Sequence, residues 1–339
     1  MKSLPKWTAM ALTVAMAASL AACGGGTAGQ PSTAPGAGGS SAPESGDPYV
    51  VGISQLVTHE ALDAATQGFK DALVEVFGQE GVQFDEQNAA NDPATCSTIA
   101  NSFVAEGVDL ILANATPALQ AAAAATGDIP ILGTSVTEYG VAMSIENFTG
   151  TVGTNVSGTS DLAPLDQQAQ MIKDWYPDAE TVGLLYCSNE PNSQYQVDTV
   201  QGYLEELGYT CTQYAFADSN DVAAVCQSAA DSSDVMYIPT DNTCASNTGI
   251  IDNICRGKVP VFCGEEGIAR GCGVATLSIS YYDLGVATGK MAAKILTGEA
   301  DVSQMPIEYA AEFTPKYNEV ICADLGVTPP DGYTAIAVD

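Results

Sequence analysis

Basic residues are scarce in this chain: 10 Lys and Arg stand against 41 Asp and Glu over 339 residues, a formal net charge of −31. So acidic a surface repels phosphate backbones, which argues against a nucleic-acid partner, and it favours solubility without specifying a fold. Histidine occurs once, at His59, so any Ser-His-Asp or Cys-His arrangement must recruit that single ring. No Gly-x-Ser-x-Gly elbow is present, and no Gly-rich dinucleotide fingerprint follows Val51–Gln55. The stretch Gly285-Val286-Ala287-Thr288-Gly289-Lys290 has one residue too few for a phosphate loop, continues into Met291, and sits inside a helical pattern. Ten cysteines occur, yet none with Cys-x-x-Cys spacing, which argues against a zinc or iron–sulfur cluster. These absences predict a non-enzymatic protein with no cofactor and no metal.

What is present begins with a targeting segment. Lys2 and Lys6 precede an uncharged apolar run from Trp7 to Ala22, shorter than the roughly 20 residues a membrane-spanning helix needs. It reads as a signal-peptide core, residues 1–22. Leu20-Ala21-Ala22-Cys23 resembles the lipobox of bacterial lipoproteins, in which the cysteine thiol carries lipid. An ordinary cleavage site beside a chance cysteine is the alternative. Residues 23–48 are then a lipidated Cys23 followed by a Gly-, Ser-, Ala-, Pro- and Thr-rich tether, too poor in apolar side chains to offset its ordering entropy. The expected location is outside the cytoplasm, on the outer face of the cell membrane.

The rest of the chain, at 46% hydrophobic overall, suits two domains and contains no second long apolar run. Nine cysteines remain: Cys96, Cys187, Cys211, Cys226, Cys244, Cys255, Cys263, Cys272 and Cys322. An oxidising compartment permits disulfides, and Cys263 with Cys272 would close a short loop. An odd number leaves at least one thiol unpaired or paired between chains.

Strand-like and helix-like segments alternate from Tyr49 onward, the pattern of an α/β protein with parallel strands and covering helices. The same order returns about 130 residues later: Val51-Gly52-Ile53 matches Val182-Gly183-Leu184, Asp109-Leu110-Ile111-Leu112 matches Asp234-Val235-Met236-Tyr237, and Ile129-Pro130-Ile131 matches Val259-Pro260-Val261. Two Rossmann-like lobes joined by a hinge follow. The expected division is 49–157 plus about 278–304 for the N-terminal lobe and 158–277 plus about 305–339 for the C-terminal lobe. The segment 280–297 is expected as one helix, 245–256 as another, and 306–313 as a strand.

Ligands of open parallel sheets sit beyond the carboxyl ends of the strands. The repeat pairs such positions across a cleft: His59 with Glu190, Thr116 with Asp241, Ser135 with Glu265. Gln55, Asp161, Asn189 and Asn242 lie in the same loops and complete the candidate ligand-binding set. Thr116 with Pro117 at a helix start, and Ser135, suit a carboxylate; Asp241 first, then Asp161, suits an ammonium. Thr116 and Asp241 are equally the residue types that cap helices. Tyr139, Tyr281 and Tyr282 are candidates for an aromatic wall.

Several motifs carry a resemblance over about residues 49 to 325. They are Val51 to Ala65 with Gln55 and His59 inside it, Ala115-Thr116-Pro117-Ala118, Ser135-Val136-Thr137, Asn155 to Asp161, Asn189-Glu190-Pro191-Asn192-Ser193, Pro239-Thr240-Asp241-Asn242-Thr243 and Tyr281-Tyr282-Asp283-Leu284-Gly285. In this order they resemble an ABC-transporter substrate-binding family whose members include tryptophan and tyrosine binders. The resemblance implies a type I periplasmic-binding-protein fold, capture of a small solute such as an aromatic amino acid, and delivery to an ABC permease; the chain is expected to act as a monomer. Glu138-Tyr139 stands where the family often has Asp-Pro, which leaves the loop's shape and the ligand open. Another amino acid, a nucleoside or a sugar on the same fold, or a surface ligand sensor, are the alternatives.

Overall fold

The computed structural model describes residues 47–337. The predicted signal segment 1–22, Cys23 and nearly all of the tether lie outside them. No helix among the described residues is long and apolar enough to cross a membrane.

The chain from Tyr49 alternates strand and helix: β1 (Tyr49–Gln55), α1 (Glu60–Phe77), β2 (Val82–Asn88), α2 (Pro93–Glu106), β3 (Leu110–Asn114), α3 (Thr116–Ala125), β4 (Ile131–Val136), the single turn α4 (Tyr139–Ala142) and β5 (Val156–Ser160). The second half runs α5 (Leu165–Trp175), β6 (Thr181–Cys187), α6 (Pro191–Glu206), β7 (Thr210–Phe216), α7 (Val222–Ser232), β8 (Val235–Ile238), α8 (Asn242–Ala245), α9 (Thr248–Cys255), β9 (Val261–Cys263), α10 (Glu266–Cys272) and β10 (Ala275–Ser278). Then come α11 (Tyr281–Leu296), β11 (Glu308–Tyr309), β12 (Thr314–Tyr317), α12 (Glu319–Leu325) and β13 (Thr334–Ala335).

These strands form two separate sheets, ordered β11-β5-β4-β3-β1-β2 and β13-β12-β10-β9-β8-β6-β7. The first five strands of each half take the same order, 2-1-3-4-5, so the repeat in sequence is a repeat in space. Every pairing is parallel except β10 with β12. Both faces of the central strands are covered by helices, which is why β3 and β8 read as continuous apolar runs and are buried throughout. The matched aspartates do matched work. Asp109 accepts the backbone N–H of Val50 at 2.7 Å, and Asp234 accepts that of Thr181 at 2.9 Å, each tying the third strand of its lobe to the first.

The chain crosses between the sheets three times: after β5, between β10 and α11, and between β11 and β12. α11 packs on α1 of the first lobe at very close range. A Cβ on Gly285 would strike the carbonyl of Ala65, and one on Gly68 would strike that of Tyr282. β11 pairs with β5, so the last crossing follows Tyr309 rather than falling near residue 305, and β5 carries the first lobe to Ser160 rather than 157. The segment 306–313 is a strand only at Glu308–Tyr309. The helix expected over 245–256 is broken at Ser246 and Asn247, where Asn247 turns its amide onto the carbonyl of Thr243 at 2.7 Å and α8 ends. Cys263 lies beside Cys272, and all nine described cysteines are free thiols.

Candidate functional site

The carboxyl ends of the two sheets face each other across a narrow, tightly closed cavity with about 10 Å³ of free volume. Six of the ten sequence candidates line it: His59, Ser135, Asp161, Asp241, Asn242 and Glu265. Leu62, Thr137, Asn192, Thr240, Ala245 and Tyr281 complete the wall. Tyr281 is one of the aromatic-wall candidates, whereas Asn192 and Thr240 are additions to the sequence-derived set. Their signal was adjacency, since each sits within two residues of a paired carboxylate, Glu190 or Asp241, at the same loop.

Gln55, Thr116, Asn189 and Glu190 do not line this cavity. Gln55 is buried in a local network, donating to Asp63 at 2.6 Å and accepting from Thr66 at 2.7 Å. Thr116 is buried in the first turn of α3, following Ala115, whose φ of 89° is rare for a residue with a side chain. Asn189 is exposed and donates to the carbonyl of Ala217 at 2.9 Å. Of the other aromatic candidates, Tyr139 is buried and donates to the carbonyl of Thr159 at 3.1 Å, and Tyr282 lies on the surface against Asp71.

Glu190 acts one shell back. One carboxylate oxygen accepts the backbone and side-chain N–H groups of Asn242 at 3.0 and 2.7 Å; the other accepts the backbone N–H and hydroxyl of Thr243 at 2.9 and 2.7 Å. Those two residues meet the first lobe: His59 Nε2 lies 3.2 Å from Asn242 Oδ1, and Asn91 donates to Thr243 Oγ1 at 3.0 Å. Arg270 reaches Glu60 at 2.9 Å along the same seam. The lobes are thus closed on each other, with Glu190 organising the receiving side.

Asp241 is also committed within its own lobe. It caps α8 by accepting the N–H of Cys244 at 2.8 Å, and its second oxygen accepts that of Cys187 at 2.7 Å. Glu265 caps α10 with both oxygens, on Gly267 and Ile268, each at 2.6 Å. Asp161 differs: Oδ2 accepts the Tyr281 hydroxyl at 2.9 Å, while Oδ1 is buried with no partner. Ser135 Oγ and Asn192 Oδ1 are buried and unpartnered in the same wall. Unmet polar groups are costly in a protein interior, so their concentration here marks a place built to meet something else. Ser135 gets there through a register shift between Gly133 and Val136, with a φ of 54°.

Burial dominates the electrostatics. It pushes the carboxyls of Asp241 and Glu265 up to about 7, with Glu190 adding repulsion at Asp241. It raises Asp161 against the opposing hydrogen bond of Tyr281, and it lowers the His59 imidazole despite help from Asn242 and Glu190. None of the lining residues is Lys or Arg. Such a wall stabilises positive charge on a guest and has no cation to offer an anion. A larger and more open cavity of about 780 Å³ lies on the hinge side, between α11, β11 and α10, and shares Glu265 and Tyr281 with the first. None of the unpartnered side-chain atoms belongs to its lining, so the smaller cavity is the better-built site.

Two hinged α/β lobes closing on a polar cavity define the class of two-lobe solute-binding proteins. The chain belongs to the ABC transporter substrate binding protein family, whose model matches residues 50–338. A tyrosine-binding protein of Clostridioides difficile is 37% identical over 263 residues, covering 76% of this chain and 75% of that protein. A domain from Streptococcus pneumonia in complex with L-Trp superposes with a TM-score of 0.81 at 31% identity, covering 85% of this chain and all of that one. The ligand-free, open structure of a substrate binding protein with adhesive properties from Clostridium difficile gives a lower TM-score, 0.66, at a higher identity of 38%, covering 86% of this chain and all of that one. The better superposition onto the less similar sequence agrees with the closed lobes seen here.

Proposed function

We propose that this substrate-binding protein captures an aromatic amino acid between its lobes and presents it to an ABC permease, without catalysing a reaction. The observation that carries this reading is the unpartnered Oδ1 of Asp161, held in a cation-free cavity beside Tyr281. An α-ammonium supplies the N–H donors that this oxygen lacks, and a charge-assisted hydrogen bond there contributes about 1.5–3 kcal/mol. Ser135 Oγ offers a hydroxyl to the ligand carboxylate. Tyr281 and Leu62 offer apolar surface to its ring. The relatives that bind tyrosine and L-Trp support an aromatic side chain.

In this reading the ammonium goes to Asp161 rather than Asp241, because the oxygens of Asp241 are taken by backbone donors. Thr116, Gln55, Asn189 and Glu190 are then supports of the fold and of closure rather than ligand contacts. A solute wider than the narrow cavity enters by parting of the lobes at the three crossings, and contacts to both rims favour the closed state.

The protein is read as a monomer held outside the cytoplasm by lipid on Cys23, with the Gly- and Ser-rich segment as its tether. Thermal-shift screening of the purified chain tests the ligand: Trp, Tyr or Phe raises Tm and sugars and nucleosides do not, whereas a shift with sugars alone defeats the aromatic reading. Cys23→Ser tests the anchor, since the variant leaves the membrane fraction if lipid holds the protein there.

A further inference from the structure

Eight of the nine described cysteines lie in the second lobe or its terminal extension, and the binding site uses none of them. Most are accounted for by local contacts. Cys187 donates to Ala217 O at 3.4 Å, Cys272 to Ile268 O of its own helix at 3.3 Å, and Cys322 points at Val274 O. Cys263 is packed where the missing side chain of Gly273 leaves room. Cys226 and Cys255 are different. Cys226 is in the middle of α7, Cys255 is the last residue of α9, both are fully buried, and their sulfurs are 3.7 Å apart. Met236 Sδ, at 3.9 Å from Cys255, closes the surroundings with another soft, apolar group.

We propose that Cys226 and Cys255 are joined by a disulfide in the exported protein, pinning α7 to α9 beneath the turn that carries Asn242. The bond requires the sulfurs to approach by roughly 1.7 Å, to about 2.05 Å. Cys255 stands at a helix end followed by Gly257 with φ of 67°, a short turn able to give by that amount. The pairing rests on the extracytoplasmic reading above, because a reducing cytosol keeps such thiols apart.

The chemistry is thiol–disulfide exchange with a disulfide-bearing oxidant, either a small disulfide such as oxidised glutathione or a thiol oxidoreductase. Cys226 as thiolate attacks the oxidant disulfide, forming a mixed disulfide and expelling one thiolate. Cys255 loses its proton, attacks the Cys226 sulfur and expels the second. Two protein thiols are oxidised by two electrons and one oxidant disulfide is reduced to two thiols. Since both are buried once folded, exchange takes place while α7 and α9 are still docking.

The test maps thiols on the full chain in two arms: protein recovered from the native cell surface, and purified protein refolded in a glutathione redox buffer. Each sample is denatured, alkylated, reduced, alkylated with a second reagent and read by mass spectrometry. The expected result is the second label alone on Cys226 and Cys255, with one cross-linked peptide before reduction. Reduction should lower Tm by roughly 5–10 °C, a loss absent from C226S and C255S, since a loop of about thirty residues is released. First label on both cysteines after refolding, or a cross-link between other cysteines in their place, overturns the proposal. Protease added to intact cells reports the location separately. A chain that is not exported but still cross-links on refolding retires the location and keeps the pair.

Discussion

The two lobes are copies in strand order and differ at their rims. The C-terminal rim is nearly self-sufficient: Glu190, Asp241 and Glu265 satisfy eight donors of their own lobe. The N-terminal rim, with the crossing that leaves it, keeps Ser135 Oγ and Asp161 Oδ1 open. Among the C-terminal residues that line the cavity, Asn192 Oδ1 is the one opening. At paired positions of the repeat, His59 meets the other lobe while Glu190 holds its own residues in place to be met. One rim is therefore a rigid receptacle, its carboxylates fixed by backbone N–H groups, and the other carries atoms whose needs a guest meets. The two lobes share one frame, and single loop positions divide the labour between them.

That asymmetry can be broken at several points. Asp161→Ala should weaken binding of Trp or Tyr by about 10–150-fold, the 1.5–3 kcal/mol of a charge-assisted hydrogen bond, read by calorimetry. Unchanged affinity would shift the ammonium back to the C-terminal rim. Glu190→Ala strands four donors and should cost about 1–3 kcal/mol of stability in denaturant titration. Its affinity should fall as well, because Asn242 and Thr243 no longer stand ready for His59 and Asn91. His59→Ala removes one hydrogen bond across the seam and should loosen closure by about 0.5–1.5 kcal/mol, seen as a larger radius of gyration at subsaturating ligand.

The smallest effect is on pH. Asp241 and Glu265, raised to about 7, keep protons on folding that the unfolded chain has released. Their contribution is complete below the unfolded carboxylate range near 4 and is lost as pH rises to the folded value near 7, so Tm should fall from about pH 4.5 to 7. The lowered His59 acts in the opposite sense only below about 6.5. A Tm that rises across that window would contradict buried, protonated carboxylates.

The architecture was legible because it rests on patterns a sequence states outright. Val51 and Val182 occupy equivalent strands, Asp109 and Asp234 immediately precede equivalent strands, and the alternation of strand and helix predicted parallel sheets. Six candidate site residues converge because the repeat locates strand ends, which face the cavity in both lobes. What sequence cannot state is which polar atoms are already spoken for. Asp161 and Asp241 are the same residue type in similar loops, and only the backbone N–H groups of Cys187 and Cys244 distinguish them. Thr116 lies outside the cavity because it is the buried first residue of α3 rather than part of the loop before it, and β11 changed lobes because two residues suffice to pair with β5.

The glycines between α1 and α11 bear on how a swinging molecule is hinged. Gly68 and Gly285 let the two backbones touch, so α11, although it follows the second sheet in sequence, travels as freight of the first. All bending at that crossing is therefore squeezed into the few residues around Ile279 and Ser280. A methyl group at either glycine would act as a wedge, shifting the helix that bears Tyr281 and carrying its hydroxyl away from Asp161, so a change at the far face of the lobe would be felt at the cavity wall.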